Sequence, residues 1–392
     1  MYHCLILLLV VSTGGFMTQN SRVHIPEDAL MNFNQLAQKY AQKGEEYDLA
    51  VQGGYILKLF RIPGDRNKPL LFIHGAVDSA DTFIMRGNNS LAIALSRDNY
   101  DVWAMNLRGN RYSRSHIYMN PDSDINYWDF SVHEFGYYDL PATIDFILKK
   151  TGQQKLSAIG YSEGTTSMYV LGATRPEYNK KIKIFISMAP ICYLHNTIPY
   201  MSLLLDVGPI FNHGYIALGT EEVVGFNSPS KALIDAFCSQ RNTGYNACIT
   251  NGLFLVTGAD AKEIEPEFLP VILGHFPAGT SRKNLNHLLQ IRMRRQFVNY
   301  DYGTAKNMVR YNRESPPAYD LNKVTMKIAM IVAKNDRIST IKDVALLRKQ
   351  LPNVIEYRVM KSEAFNHVDY VWGKNTHKTL FPHIFNLLNK YR

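Results

Sequence analysis

Lys155 to Thr174 reads KLSAIGYSEGTTSMYVLGAT, and this stretch decides the fold. Its first half, KLSAIGYS, is a short apolar run of the kind that forms a buried strand; its second half, EGTTSMYVLGAT, has helical character. Between them Gly160-Tyr161-Ser162-Glu163-Gly164 fits the pattern GxSxG. That pattern belongs to a sharp strand-to-helix turn which lifts a serine hydroxyl clear of a sheet. The two glycines let the backbone pass close to its neighbours at a strained turn where side chains would block it. The motif alone is a weak signal, and its position after an apolar strand and before a helix supplies the context it needs.

The same rhythm extends to both sides. Upstream, YDLAV and YILKLFRI read as strands with Gly53 and Gly54 at the turn between them, after a polar helical segment around Asp28 to Gly44. PLLFIHG is a continuous apolar run suited to a strand buried on both faces. DNYDVWAMNLRG is a strand, YDLPATIDFILKKTG a helix that stops at Gly152, and KIKIFISMAP a strand. Strand, helix and strand in succession predict βαβ units and a mostly parallel sheet. From about Asn196 to Asp320 the pattern becomes helix-like but irregular, with Pro and Gly scattered through it. It then resumes with MKIAMIVA, IKDVALLRKQL, VIEYRVM and a C-terminal helix from about Phe381 to Lys390. A long insertion between two halves of one sheet is most simply a cap over the C-terminal strand edge, where such sheets place their ligand crevice. The expected division is therefore a core over 19–195 and 321–392, with a cap over 196–320.

The totals fit that picture without naming an activity. At 392 residues, with 46% hydrophobic and 20% charged, the chain is an ordinary globular protein able to bury a large core. The net charge of +9 suits an anionic partner, a membrane or lipid-droplet face included, and equally suits simple solubility. No Lys/Arg run interleaved with aromatics and no zinc-finger or RNP-like motif is present, which argues against nucleic acid. No metal-ligand spacing, GxGxxG or Walker loop occurs, so no cofactor or metal is expected.

The N-terminus, MYHCLILLLVVSTGG, has an apolar run from Leu5 to Val11 followed by small residues, as in a secretory signal peptide over about residues 1–18. Its n-region lacks Lys and Arg, and the run is too short to span a bilayer. Of four cysteines, Cys4 would leave with that segment. An oxidising route then pairs Cys238 with Cys248 across the polar loop SQRNTGYNA and leaves Cys192 as a small buried hydrophobe.

A serine is a poor nucleophile at neutral pH, so an imidazole must take its proton and an acid must hold that imidazole in the right tautomer. Asp336 follows the strand MKIAMIVA and His367 follows VIEYRVM, which puts both on loops at the strand edge that carries Ser162. The order Ser, Asp, His is the one this fold uses. Asp343 and Asp369 are the rival acids, the first expected inside a helix and the second only two residues beyond the histidine. The loop His74-Gly75-Ala76 ends an earlier strand, and the backbone N–H groups of Ala76 and Glu163 are the expected oxyanion donors.

The chain resembles the acid lipases, which include gastric lipase and lysosomal acid lipase. The likeness lies in FIHGAVDSADTF, NNSLAIALSRDNYDVWAMNLRGNRYSR, YDLPATIDFILKKTGQ, GYSEGTT, FPAGTS, NDRISTIKDV and FNHVDYVW, from about Glu45 to the C-terminal helix. It implies an α/β-hydrolase fold with a lid, a triad of Ser162, Asp336 and His367, a disulfide in the cap, and hydrolysis of neutral lipid esters by a secreted or lysosomal enzyme. Asn88, in the sequon NNS, is the expected glycosylation site. Relatives commonly carry His and Gln around the serine, where this chain has Tyr161 and Glu163, and a larger apolar residue in place of Ala76. An ionised carboxylate at 163 would disfavour an oxyanion, so Glu163 is expected either to turn into a hydrogen-bond network or to be protonated. The segment SRKNLNHLLQIRMRRQF, with Leu285, Leu288, Leu289 and Met293 beside Arg292, Arg294 and Arg295, reads as core with a basic edge or as an interfacial helix. Two other functions share the sequence features: a carboxylesterase for small soluble esters, and a non-catalytic lipid-binding protein, whose usual mark of a missing triad residue is not found here.

Overall fold

The computed structural model describes residues 25–391, apart from Asn227, Arg241 and Asn242 and the side chains of Tyr200, Met201 and Leu204. The expected signal peptide lies outside the described residues. Eight strands form the main sheet: β1 (Glu45–Ala50), β2 (Ile56–Ile62), β3 (Asp65–Ile73), β4 (Tyr100–Met105), β5 (Leu156–Tyr161), β6 (Ile182–Met188), β7 (Ile328–Val332) and β8 (Val354–Val359). Their order across the sheet is β1-β2-β4-β3-β5-β6-β7-β8. The β1–β2 and β2–β4 pairs are antiparallel and every other pair is parallel, so the sheet is mostly parallel as expected.

Alternation along each strand divides the apolar residues between the two faces. On β3, Leu70 and Phe72 join one core cluster while Leu71 and Ile73 join the other; on β7, Ala329 and Ile331 face one way and Ile328, Met330 and Val332 the other. Helices cover both faces, which is why the central strands read as unbroken apolar runs. The edge strands are less covered, with β8 half-buried along its whole length.

Two helices differ from their sequence outlines. The N-terminal one is shorter than expected, Phe33–Ala41, because Asn32 and Gln35 close a capping box that fixes its start. The helix before β5 runs Leu140–Thr151 and is entered through a π-helical turn, Phe135–Asp139; Pro141 sits in its first turn, where a missing N–H costs nothing. It ends at Gly152, whose φ of 74° suits glycine.

Between β6 and β7 lie helices Pro199–Asp206, Gly208–Ala217, Pro229–Cys238, Leu269–His275, Arg282–Arg294 and Thr304–Tyr311. A two-residue ribbon pairs Glu222–Val223 with Thr280–Ser281. Cys238 and Cys248 are joined by a disulfide with an S–S distance of 2.00 Å, and Cys192 is a free, buried thiol. Buried polar contacts fasten this region to the core: Arg86 pairs with Glu265 at 2.6 Å, and His275 Nδ1 meets Asp81 at 2.9 Å.

Candidate active site

The strand registers bring five loop starts together. Ile73 of β3 lies beside Gly160 of β5, Tyr161 beside Met188 of β6, Met188 beside Ile331 of β7, and Val332 beside Val359 of β8. Residues just beyond these ends therefore share one sheet edge. Ser162, the first residue past β5, has φ 52° and ψ −122°, a region that L-residues occupy at a cost of about 1–3 kcal/mol. The strain is held in place by close contacts: a Cβ on Gly164 would lie 2.3 Å from the Ile73 carbonyl oxygen, and one on Gly160 would lie 3.0 Å from the Phe185 ring. Only glycine lets the helix Glu163–Thr174 start this near β3. The Ser162 N–H also donates to the Met188 carbonyl at 3.1 Å.

His367 Nε2 lies 2.9 Å from Ser162 Oγ, and its Nδ1 lies 3.0 and 2.9 Å from the two oxygens of Asp336. With the carboxylate as acceptor, Nδ1 carries the proton and Nε2 is left to accept from the serine. Asp336 Oδ1 also accepts the backbone N–H groups of Ile338 at 2.9 Å and Ser339 at 2.8 Å, so the acid is fixed before it holds the ring. All three side chains are buried, Ser162 being only 8% exposed. The rival acids go elsewhere: Asp343 accepts from Asn196 and Asp369 from the Asn366 N–H.

The His74-Gly75-Ala76 loop packs on the serine, a Cβ on Gly75 falling 3.2 Å from Ser162 Cβ. His74 itself stays out of the proton relay. Its Nδ1–H donates to the Gly75 carbonyl at 2.8 Å and its Nε2 accepts the Leu107 N–H at 3.0 Å, so it tethers the loop as a neutral ring, and burial pushes its pKa down to about 4. Val77 has φ 50°, and its carbonyl accepts the N–H of Ala278 at 2.6 Å. The loop beside the serine is thus strained and tied to the segment between β6 and β7 at once.

Glu163 is buried, and its Oε1 accepts from Asn284 Nδ2 on the helix Arg282–Arg294 at 2.7 Å. Burial pushes its carboxyl up to about 7, opposed in part by that hydrogen bond. Sequence reading missed Asn284. The available signal was the polar pair Asn284 and His287, three apart on an otherwise mixed helix, and both side chains prove to be fully enclosed. It also missed the Tyr161 hydroxyl, which donates to the His367 carbonyl at 3.0 Å. On the same helix Leu289 and Ile291 are buried, Leu285 and Leu288 half-buried, and Met293 is 70% exposed, so the segment is mainly packing surface with a basic end. Asn88 is exposed on the turn Gly87–Asn89.

Among the described residues no group of three His, Cys, Asp or Glu is arranged to hold a metal ion, and no helix is long and apolar enough to cross a membrane.

Comparison with known proteins bears on the fold and the family. Residues 68–213 match the family described as alpha/beta hydrolase fold. The chain is 36% identical to Lipase 1 of Drosophila melanogaster, over 94% of this chain and 82% of that one. It is 35% identical to gastric triacylglycerol lipase of Mus musculus, over 92% of each chain. Among solved structures it is similar in fold to a soluble variant of monoglyceride lipase from Saccharomyces cerevisiae, with a TM-score of 0.53, 14% identity and coverage of 89% of this chain and 94% of that one. An epoxide hydrolase from Vigna radiata gives a TM-score of 0.50 at 17% identity, covering 89% and 99%. A serine hydrolase fold matched along nearly its whole length by lipases leaves one family, and the chain belongs to it: it is an acid lipase of the gastric lipase group, an ester-hydrolysing enzyme on the α/β-hydrolase fold.

Proposed function

We propose that Ser162 is the nucleophile of a lipase that hydrolyses neutral lipid esters, triacylglycerols or steryl esters, at a lipid–water interface. The observation that carries the assignment is the unbroken hydrogen-bonded series Ser162–His367–Asp336. His367 Nε2 takes the serine proton as Oγ attacks the ester carbonyl, and Asp336 stabilises the imidazolium that forms. The backbone N–H groups of Ala76 and Glu163 receive the alkoxide oxygen; a donor of this kind is typically worth about 3 kcal/mol in the transition state. Collapse expels the alcohol, which takes the proton from His367. Water then enters and attacks the acyl carbon as it gives a proton to the same nitrogen, and His367 returns that proton to Ser162 Oγ as the fatty acid leaves.

Ser162 is only 8% exposed, and we read the region spanning 196–320, which reaches the site through Asn284 and Ala278, as a lid that moves to admit the ester. Helices Pro199–Asp206 and Gly208–Ala217 leave Leu203, Ile210 and Ile216 between 51% and 71% exposed. Such an apolar surface suits contact with lipid better than contact with water. Export through a cleaved leader over about residues 1–18, with glycosylation at Asn88, fits the Cys238–Cys248 disulfide and the exposed sequon. The test is fatty-acid release from short- and long-chain esters below and above the concentration at which they form an interface. Activity that rises on interface formation supports the lipase reading; equal or greater activity on monomeric short esters points to a carboxylesterase instead.

A further inference from the structure

Asn284 ends in an unpaired atom. Its Nδ2 donates to Glu163 Oε1 at 2.7 Å and to Thr280 Oγ1 at 3.2 Å, while its Oδ1 is buried and has no hydrogen-bond partner among the described residues. A buried amide oxygen is costly to leave without a donor, and a carboxylate has none to offer. A carboxylic acid does. Turning the amide over places its oxygen on Glu163 instead, which again demands a proton there.

The surroundings give an ionised Glu163 no counter-charge. Among the described residues no Lys, Arg or His forms an ion pair with it. Arg108, on the wall of the small cavity that Glu163 also lines, is already committed to both oxygens of Asp139. His74, on the same wall, is held neutral by the Gly75 carbonyl and the Leu107 N–H. On the cap side, Lys283 turns to Asp129 at 2.8 Å and Tyr302 at 3.0 Å, and His287 is occupied by Ser131 Oγ and the Val298 carbonyl. Glu134 binds Ser131, and across Ser162 the His367–Asp336 pair is self-contained. Placing a negative charge here also sets it one residue from the nucleophile, where the alkoxide develops.

We propose that Glu163 is a positioning residue that works in its protonated form, donating its O–H to Asn284 Oδ1 while Asn284 Nδ2 donates back, and so clamps the cap helix to the residue after the nucleophile. Loss of that proton to water opens the clamp on one side and opposes the oxyanion at the Glu163 N–H. Turnover then falls as pH rises through neutrality, in keeping with a carboxyl raised by burial to about 7. This deepens the Ser162 assignment and rests on it.

The test is kcat/KM against pH for the wild type and Glu163→Gln, since Gln can make both hydrogen bonds to Asn284 but cannot ionise. In the wild type kcat/KM falls roughly tenfold between pH 6 and pH 8, as expected for one ionisation near 7, whereas in Glu163→Gln the two values stay within about twofold. Infrared spectra of the intact protein, taken as wild type minus Glu163→Gln so that other buried acids such as Asp78 cancel, give a reading that needs no turnover: a protonated-carboxyl band present at pH 6 and lost by pH 9. An equal fall in the variant, or no such band, overturns the proposal. Wild-type turnover that survives Ser162→Ala overturns the nucleophile assignment instead, and the infrared titration separates the two failures.

Discussion

The Tyr161 hydroxyl donates to the main-chain carbonyl of His367 at 3.0 Å, so the residue before the proposed nucleophile braces the residue that serves it. The ring is buried and lies 5.4 Å from the imidazole, centroid to centroid. Tyr161→Phe keeps the packing and removes one buried hydrogen bond. Stability should drop by about 1 kcal/mol in denaturant titrations, and kcat should fall less than tenfold, because Asp336 still fixes the ring.

Asp336→Asn keeps the shape of the acid and reverses its hydrogen bonding to His367. The amide can donate to Nδ1, which moves the ring proton to Nε2 and leaves Ser162 without an acceptor. By analogy with other serine hydrolases kcat should fall about 10⁴-fold with KM little changed, measured by steady-state kinetics on a soluble ester.

Arg108 and Asp139 form a fully buried pair one cavity wall away from Glu163. Arg108→Met strands the Asp139 charge in the core and should cost about 3–5 kcal/mol. The double variant Arg108→Met/Asp139→Leu should recover most of that loss in thermal unfolding, because neither charge then remains unpaired.

Buried groups also set how stability varies with pH. Burial pushes Glu163 up to about 7 and Asp78 to about 8, so the folded chain holds protons that the unfolded chain releases near pH 4. Their contribution is complete below pH 4 and is lost as pH rises toward 7 and 8. His74 and His287, pushed down to about 4, act the other way: the unfolded chain takes up protons first, and stability is lost as pH falls from 6.5 toward 4. Between pH 6.5 and 8 only the acids still act among these four, and the unfolding midpoint should decline. Relative to the wild type, Glu163→Gln should gain on the order of 3 kcal/mol between pH 4 and pH 8.

The core sheet was legible because its signal is local. Two-sided burial writes unbroken apolar runs into β3, β5, β6 and β7, and a strained turn writes glycine at 160 and 164. Ser162 and Asp336 could be proposed because they lie just past the apolar strands β5 and β7, and His367 because it lies on the loop after β8. The stretch 196–320 was legible only as a departure from rhythm, since its helices are ordered by contacts distant in sequence, such as Arg282 with Glu221 and Lys283 with Asp129. Asn284 escaped for the same reason: its partner Glu163 is 121 residues away, and no local pattern reveals a polar residue enclosed by a fold. Of the two expectations at Glu163, the hydrogen bond from Asn284 is present, and the proton is our proposal.

The central claim is that Ser162 is an activated nucleophile. A fluorophosphonate probe reacts only with a serine whose proton a neighbouring base can take, so labelling followed by peptide mapping addresses it directly. The account predicts stoichiometric labelling of the wild type on the peptide holding Ser162, loss of labelling in Ser162→Ala, and strong slowing in His367→Ala. An unlabelled, folded wild type, or undiminished labelling after Ser162→Ala, would contradict it.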